Sequence, residues 1–176
     1  MKHKFITGLA ILFLLVGIGS ASSTPEKVGE DKPSTEANKK PEANKSKSFN
    51  VGDIVKLNDF NFTVNKVYTV KGNEFTKPKS GNEYIAIDCT VENISSTDQS
   101  ISSIMMFKVV DKDGRACEYS IMGQTAANAG QLDGTIGAGR KLTGVYVVEV
   151  PKGQTGLEME FNGSLFSGGQ IIVNLN

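Results

Sequence analysis

Nearly every segment between Phe49 and Asn176 alternates apolar and polar residues with a period of two, and Gly, Asn or Asp-Gly bounds each one. That period belongs to strands with one buried and one wetted face. No segment carries a convincing helical period of 3.6. The segments are also rich in Val, Ile, Thr and aromatic residues, which fit a pleated, half-buried surface.

"DIVKL" (Asp53 to Leu57) and "FNFTVNKVYTV" (Phe60 to Val70) read as two opening strands, the second with Phe60, Phe62, Val64, Tyr68 and Val70 on one face. A loop around Pro78 and Gly81 follows. "EYIAIDCTVEN" puts Ile85, Ile87, Cys89 and Val91 on one face and Ala86, Asp88, Thr90 and Glu92 on the other, so Cys89 points inward. "SIMMFKVVDKDGRACEYS" reads as a hairpin, with Phe107 and Val109 descending, Asp111 to Gly114 turning and Arg115 to Tyr119 returning. A polar loop from Met122 to Gly139 leads to three strands, "KLTGVYVVEV", "GLEMEF" and "GQIIVNL". "VYVVEV" is apolar on both sides and is expected at the centre of a sheet, while "LEMEF" turns Leu157, Met159 and Phe161 inward. Seven to eight such strands predict an all-β, antiparallel immunoglobulin-like β-sandwich.

The chain ahead of this domain is organised differently. Lys2, His3 and Lys4 form a basic start, Ile6 to Gly19 is an uncharged and mostly apolar run, and small residues follow from Ser20. This is the pattern of a secretory signal, with cleavage expected near Ala21. The run falls short of the roughly 20 residues of a spanning helix, which leaves an uncleaved signal anchor as the alternative. Residues 22–48 are dominated by Lys, Glu, Pro, Ser and Asn and repeat K-P-x-x-E-A-N, a composition that cannot offset its own chain entropy. The expected organisation is signal 1–21, disordered linker 22–48, and domain 49–176, the linker spanning roughly 30 Å as a random coil.

"YIAIDCTVENISS", "FKVVDKDGR" and "IGAGRKLTGVYVVEVPKGQTGLEMEF" together resemble a family of exported Gram-positive domains of unknown function with a telokin-like immunoglobulin fold. The shared pattern is a strand ending in Val91 and Asn93, the Asp111 to Gly114 hairpin, and a glycine-led strand from Gly144 to a Val-Pro-Lys turn at Lys152. These are signatures of turns and strands, and the resemblance implies no catalytic residues and no cofactor. Members often carry a lipid-anchoring cysteine at the signal. This chain has none there, and near Cys117 it lacks an aromatic residue usual after the hairpin glycine.

The residues that bear chemistry are few. The one histidine, His3, falls in the expected signal, which removes Ser-His and Cys-His catalysis and histidine metal ligation from the mature chain. Cys89 and Cys117 are the two cysteines, and in an oxidising compartment they are candidates for a disulfide. The competing reading is that both are small buried residues. "DKDGR" has closely spaced aspartates, but Gly114 directly after Asp113 fits a hairpin turn better than a calcium loop. "GTIGAGRK" (Gly134 to Lys141) lacks the Lys-Ser/Thr pair of a phosphate loop and precedes a strand. The acids and bases of the domain nearly balance, with no basic face of the kind nucleic acid or anionic lipid demands.

The function expected is therefore a non-enzymatic, secreted or cell-surface binding module. Its partner would be a protein or an envelope component, and it would touch membrane only through an uncleaved signal anchor. A loop-borne inhibitor acting through 122–139, or an extracellular enzyme or thiol-redox protein, are the alternatives.

Overall fold

The structure is a computed structural model that describes residues 24–29, 47–163 and 169–176. The predicted signal and most of the predicted linker lie outside the described residues. Twelve strands and two short helices are described. In chain order the strands are β1 (Glu26–Lys27), β2 (Ser48–Asn50), β3 (Val55–Leu57), β4 (Phe60–Val70), β5 (Asn82–Asn93), β6 (Gln99–Ile101), β7 (Phe107–Val110), β8 (Glu118–Tyr119), β9 (Gly134–Ile136), β10 (Lys141–Pro151), β11 (Glu158–Phe161) and β12 (Ile171–Asn174). The helices are α1 (Ser103–Met106) and α2 (Ile121–Ala127).

One sheet runs β1-β3-β4-β5-β10-β8 and the other β2-β12-β11-β7, with β6 and β9 as a separate ribbon. All the pairings are antiparallel except β2 with β12. The sandwich is thus as expected, and the extra strands are pieces of two or three residues at its edges and corners. Between the sheets lies an aromatic core. Phe62 stacks on Phe161 with centroids 4.8 Å apart, and Phe107 and Phe60 lean on Phe161 at 5.0 and 5.9 Å. Leu157, Met159 and Phe161 point inward as their alternation requires.

Over 84–87 of β5 and 145–148 of β10 the strands are apolar on both faces because both faces are covered there. Ile87, Cys89, Val91, Tyr146 and Val148 join the inter-sheet core, while Tyr84, Ala86, Val145 and Val147 form a second cluster on the outer face. Ala126 and Ala127 of α2 pack on that cluster.

Four sequence expectations are corrected. First, Tyr68 and Val70 do not share the face of Phe60, Phe62 and Val64. A bulge between Val64 and Lys66 shifts the register against β5, so Val67 turns to the core and Tyr68 and Val70 to the outer cluster. Second, 122–139 is not one loop. It holds α2 and β9, and the Ser120 hydroxyl caps α2 by accepting from the Gly123 amide at 2.9 Å. Third, the strand returning from the Asp111–Gly114 turn divides between sheets. Cys117 donates its amide to Val109 O, but Glu118 and Tyr119 pair with Glu149 and Val148 of β10.

Fourth, part of the predicted linker is ordered. Glu26 and Lys27 pair with Lys56 and Val55, the Val28 amide donates to Ile54 O at 2.8 Å, and Lys27 meets Asp53 at 2.9 Å. Hydrogen bonding from Lys27 holds the Asp53 carboxyl below its usual range. Ser48, placed in the linker from sequence, opens β2.

Candidate functional site

The registers of β4, β5 and β10 give the sandwich two distinct ends. Val70 pairs with Tyr84, and Pro151 with Asn82, at one end; Phe60 pairs with Asn93, and Lys141 with Glu92, at the other. At the first end three connections meet: residues 71–81, 111–117 and 152–157. Two clefts open among them.

The larger, about 470 Å³, is lined by Lys71, Lys77, Lys79, Lys152 and Glu83 over Val70 and Pro78. The smaller, about 370 Å³, is lined by Asp111, Glu118, Glu149, Arg115 and Cys117. One is mainly basic and the other mainly acidic. The boundary between them is the Lys79–Glu118 ion pair at 3.1 Å, and the hydrogen bond to Glu118 raises the Lys79 ammonium above its usual pKa. Glu149 braces that boundary by accepting from the Lys79 amide and from Asn82 Nδ2, both at 2.9 Å. Glu83 accepts from the Gly153 amide at 2.6 Å, tying the β10–β11 turn to β5.

The Asp111–Gly114 hairpin forms the rim of the acidic cleft. Gly114, at φ +77°, donates to Asp111 O, and Asp111 accepts from the amides of Asp113 and Arg115. Those bonds, the Arg115 amide first, hold the Asp111 carboxyl below its usual range. The Arg115 guanidinium bonds Asp111 at 3.0 Å and Asp113 at 2.6 Å, so the aspartates grip an arginine within their own turn.

The two cysteines do not come together, and the expected disulfide is not formed: both are free. β10 sets Gly144 opposite Cys89 and Glu149 opposite Glu118, the residue after Cys117. Five strand positions separate those points, about 17 Å at roughly 3.4 Å per residue, whereas a bridge needs Cα atoms within about 7 Å. Cys89 is fully buried with its Sγ 3.6 Å from Met159 Sδ, and burial pushes its thiol well above the usual range. Burial, helped by Asp111, also raises the half-buried Cys117. A nucleophilic thiol requires the opposite shift.

A family model, "Domain of unknown function (DUF4352)", matches residues 49–171. The chain belongs to the DUF4352 family. Among relatives, the uncharacterized protein YxkC of Bacillus subtilis is 29% identical over 120 residues, which is 62% of this chain and 67% of YxkC. The solved structure of yjhA from Bacillus subtilis superposes with a TM-score of 0.56 at 23% identity, covering 73% of this chain and 99% of that one. A Bacillus subtilis candidate lipoprotein, ycdA, reaches a TM-score of 0.54 at 14% identity over 66% of this chain and 36% of its own. Of the residues that carry the resemblance in the sequence, Asn93 and the Asp111–Gly114 turn are built into the fold. Asn93 is wholly buried, its Nδ2 donating to Thr97 O and Ile136 O while its Oδ1 accepts from the amide and hydroxyl of Ser95.

The sequence reading missed the basic cleft. Lys71, Lys77 and Lys79 are close enough in "KGNEFTKPK" to have signalled it, but Lys152 joins them only through the pairing of β5 with β10.

Proposed function

We propose that this chain is an exported, non-enzymatic binding module that engages a protein or another component of the cell envelope through the loop end of its sandwich. The observation that carries this is the pair of oppositely charged clefts held side by side by Lys79, Glu118 and Glu149. Charged groups fixed in place before binding give orientation and selectivity. The export pattern at the start of the sequence and the likeness in fold to a candidate lipoprotein support the location.

The loop-borne inhibitor reading has less support, since 122–139 is built into the fold. Gly123 packs so closely that a Cβ there would lie 2.6 Å from Val147 Cγ1. The thiol-redox reading has less support because the thiols are far apart and raised in pKa.

The test is photo-cross-linking on the surface of the native host, with the reactive group at Lys77 or Gln154 in the loop end, or at Lys56 or Lys141 at the far end. Adducts confined to the first pair are expected. Adducts from both ends alike, or a hydrolytic activity abolished by a single substitution, would overturn the reading.

A further inference from the structure

Phe75 is the most exposed large apolar side chain of the described residues, 83% accessible, and it stands at the tip of a closed turn. Asn73 Oδ1 accepts from the amides of Phe75 and Thr76 and from the Thr76 hydroxyl, and the Asn73 amide donates to Thr76 Oγ1. Gly72 sits at φ +69°, and a Cβ there would lie 2.3 Å from Thr76 O, so the turn closes this tightly only around glycine. The ring is therefore held out in solvent by a bonded turn.

Lysines adjoin the turn that carries it. Lys71 and Lys77 flank the turn, and Lys79 and Lys152 line the cleft beside it. Among the described residues, Lys71, Lys77 and Lys152 enter no ion pair. The nearby carboxylates of Glu83 and Glu149 are already turned onto backbone and amide donors. Glu118 is shared with Lys79, and Glu74, next to Phe75, is the one acid of the turn and opposes the field.

An exposed ring among unpaired ammonium groups matches the boundary of a bilayer, where an aromatic ring enters the apolar edge and lysines stay level with phosphate. We propose that the Phe75 turn docks this end of the sandwich onto a bilayer containing anionic lipid. Phe75 enters the headgroup boundary, and Lys71, Lys77 and Lys152 face the lipid phosphates, while Lys79 stays paired with Glu118. This rests on the reading of the loop end as the binding end and names the surface it meets.

The chain contains no tryptophan, so Phe75→Trp supplies a single reporter without disturbing packing. With the full chain and vesicles of phosphatidylglycerol in phosphatidylcholine, its emission is expected to move to the blue and to be quenched by brominated lipid. In pure phosphatidylcholine neither should occur, and Ile94→Trp at the far end should stay silent in both. Adding Lys71→Gln, Lys77→Gln and Lys152→Gln should lower the docked-to-undocked ratio on the order of a hundredfold, from about fivefold per lysine charge removed. Glu74→Gln should raise it.

No quenching at position 75, equal quenching in neutral vesicles, or indifference to the lysine changes would overturn the proposal. So would the same shift produced by inorganic phosphate alone, which would make the cleft a phosphate site. A silent Trp reporter with cross-links still confined to Lys77 and Gln154 would remove the bilayer and leave the binding end standing. Loss of both would remove the two together.

Discussion

Asn93 ties three segments together from a position with no solvent exposure. Its side chain satisfies two carbonyls and the Ser95 group, and its backbone exchanges hydrogen bonds with Arg140 and Gly139. Replacing it with alanine takes the side-chain donor from the buried Ile136 carbonyl and the acceptor from the Ser95 amide, while Thr97 O keeps the Ser95 hydroxyl, and each buried unsatisfied group costs about 1–3 kcal/mol. Asn93→Ala is expected to lower unfolding stability by about 2–4 kcal/mol in urea titration. Tyr146 gives a pH signature. It is nearly buried, and burial lifts its phenol to about 12. The unfolded chain therefore loses this proton first, near pH 10, so the stabilisation is complete below pH 10 and is lost as pH climbs toward 12. The unfolding free energy from urea titration should fall by about 2–3 kcal/mol over that window, and Tyr146→Phe should shed that part of the fall. The cysteines supply a third check. Cys89 should resist thiol reagents until the protein unfolds, with Cys117 reacting sooner, and labelling of native Cys89 would contradict its placement.

At the level of elements, alternation made β5, β10 and β11 legible, because each is long or strictly two-faced. What it could not show was the bulge at Asn65, since one extra residue leaves composition unchanged while exchanging the faces of Val67, Tyr68 and Val70. Deleting Asn65 should therefore drive Tyr68 and Val70 toward the core and unfold the domain, read as loss of a cooperative melting transition. The helices were missed for a related reason. α2 is only two turns long, and its glycine disguises it. Helix propensity says Gly123→Ala gains about 1 kcal/mol, but the added methyl would meet Val147 at 2.6 Å and Tyr84 at 2.9 Å. Overpacking costs about 1–3 kcal/mol, so the melting temperature is expected to fall. β1 was hidden because two residues of a polar tract can complete a sheet edge through backbone bonds alone.

For the whole molecule, the sandwich and its inter-sheet core followed from the sequence, and the candidate site did not. The site depends on which loops share an end, and that is decided by strand pairing across long separations, such as Lys152 meeting the 71–83 segment through β5 and β10. A nearly even charge tally concealed two clefts of opposite sign. The measurement that reaches the loop end most directly is amide hydrogen exchange on the full chain, with and without envelope fragments from the native host. Added protection is expected in 71–83, 111–118 and 151–156 together, with the far-end segments 94–98 and 137–140 unchanged. Protection gathered instead on 121–136 or the far end, with the three loops exchanging as before, would contradict a binding role for the loop end.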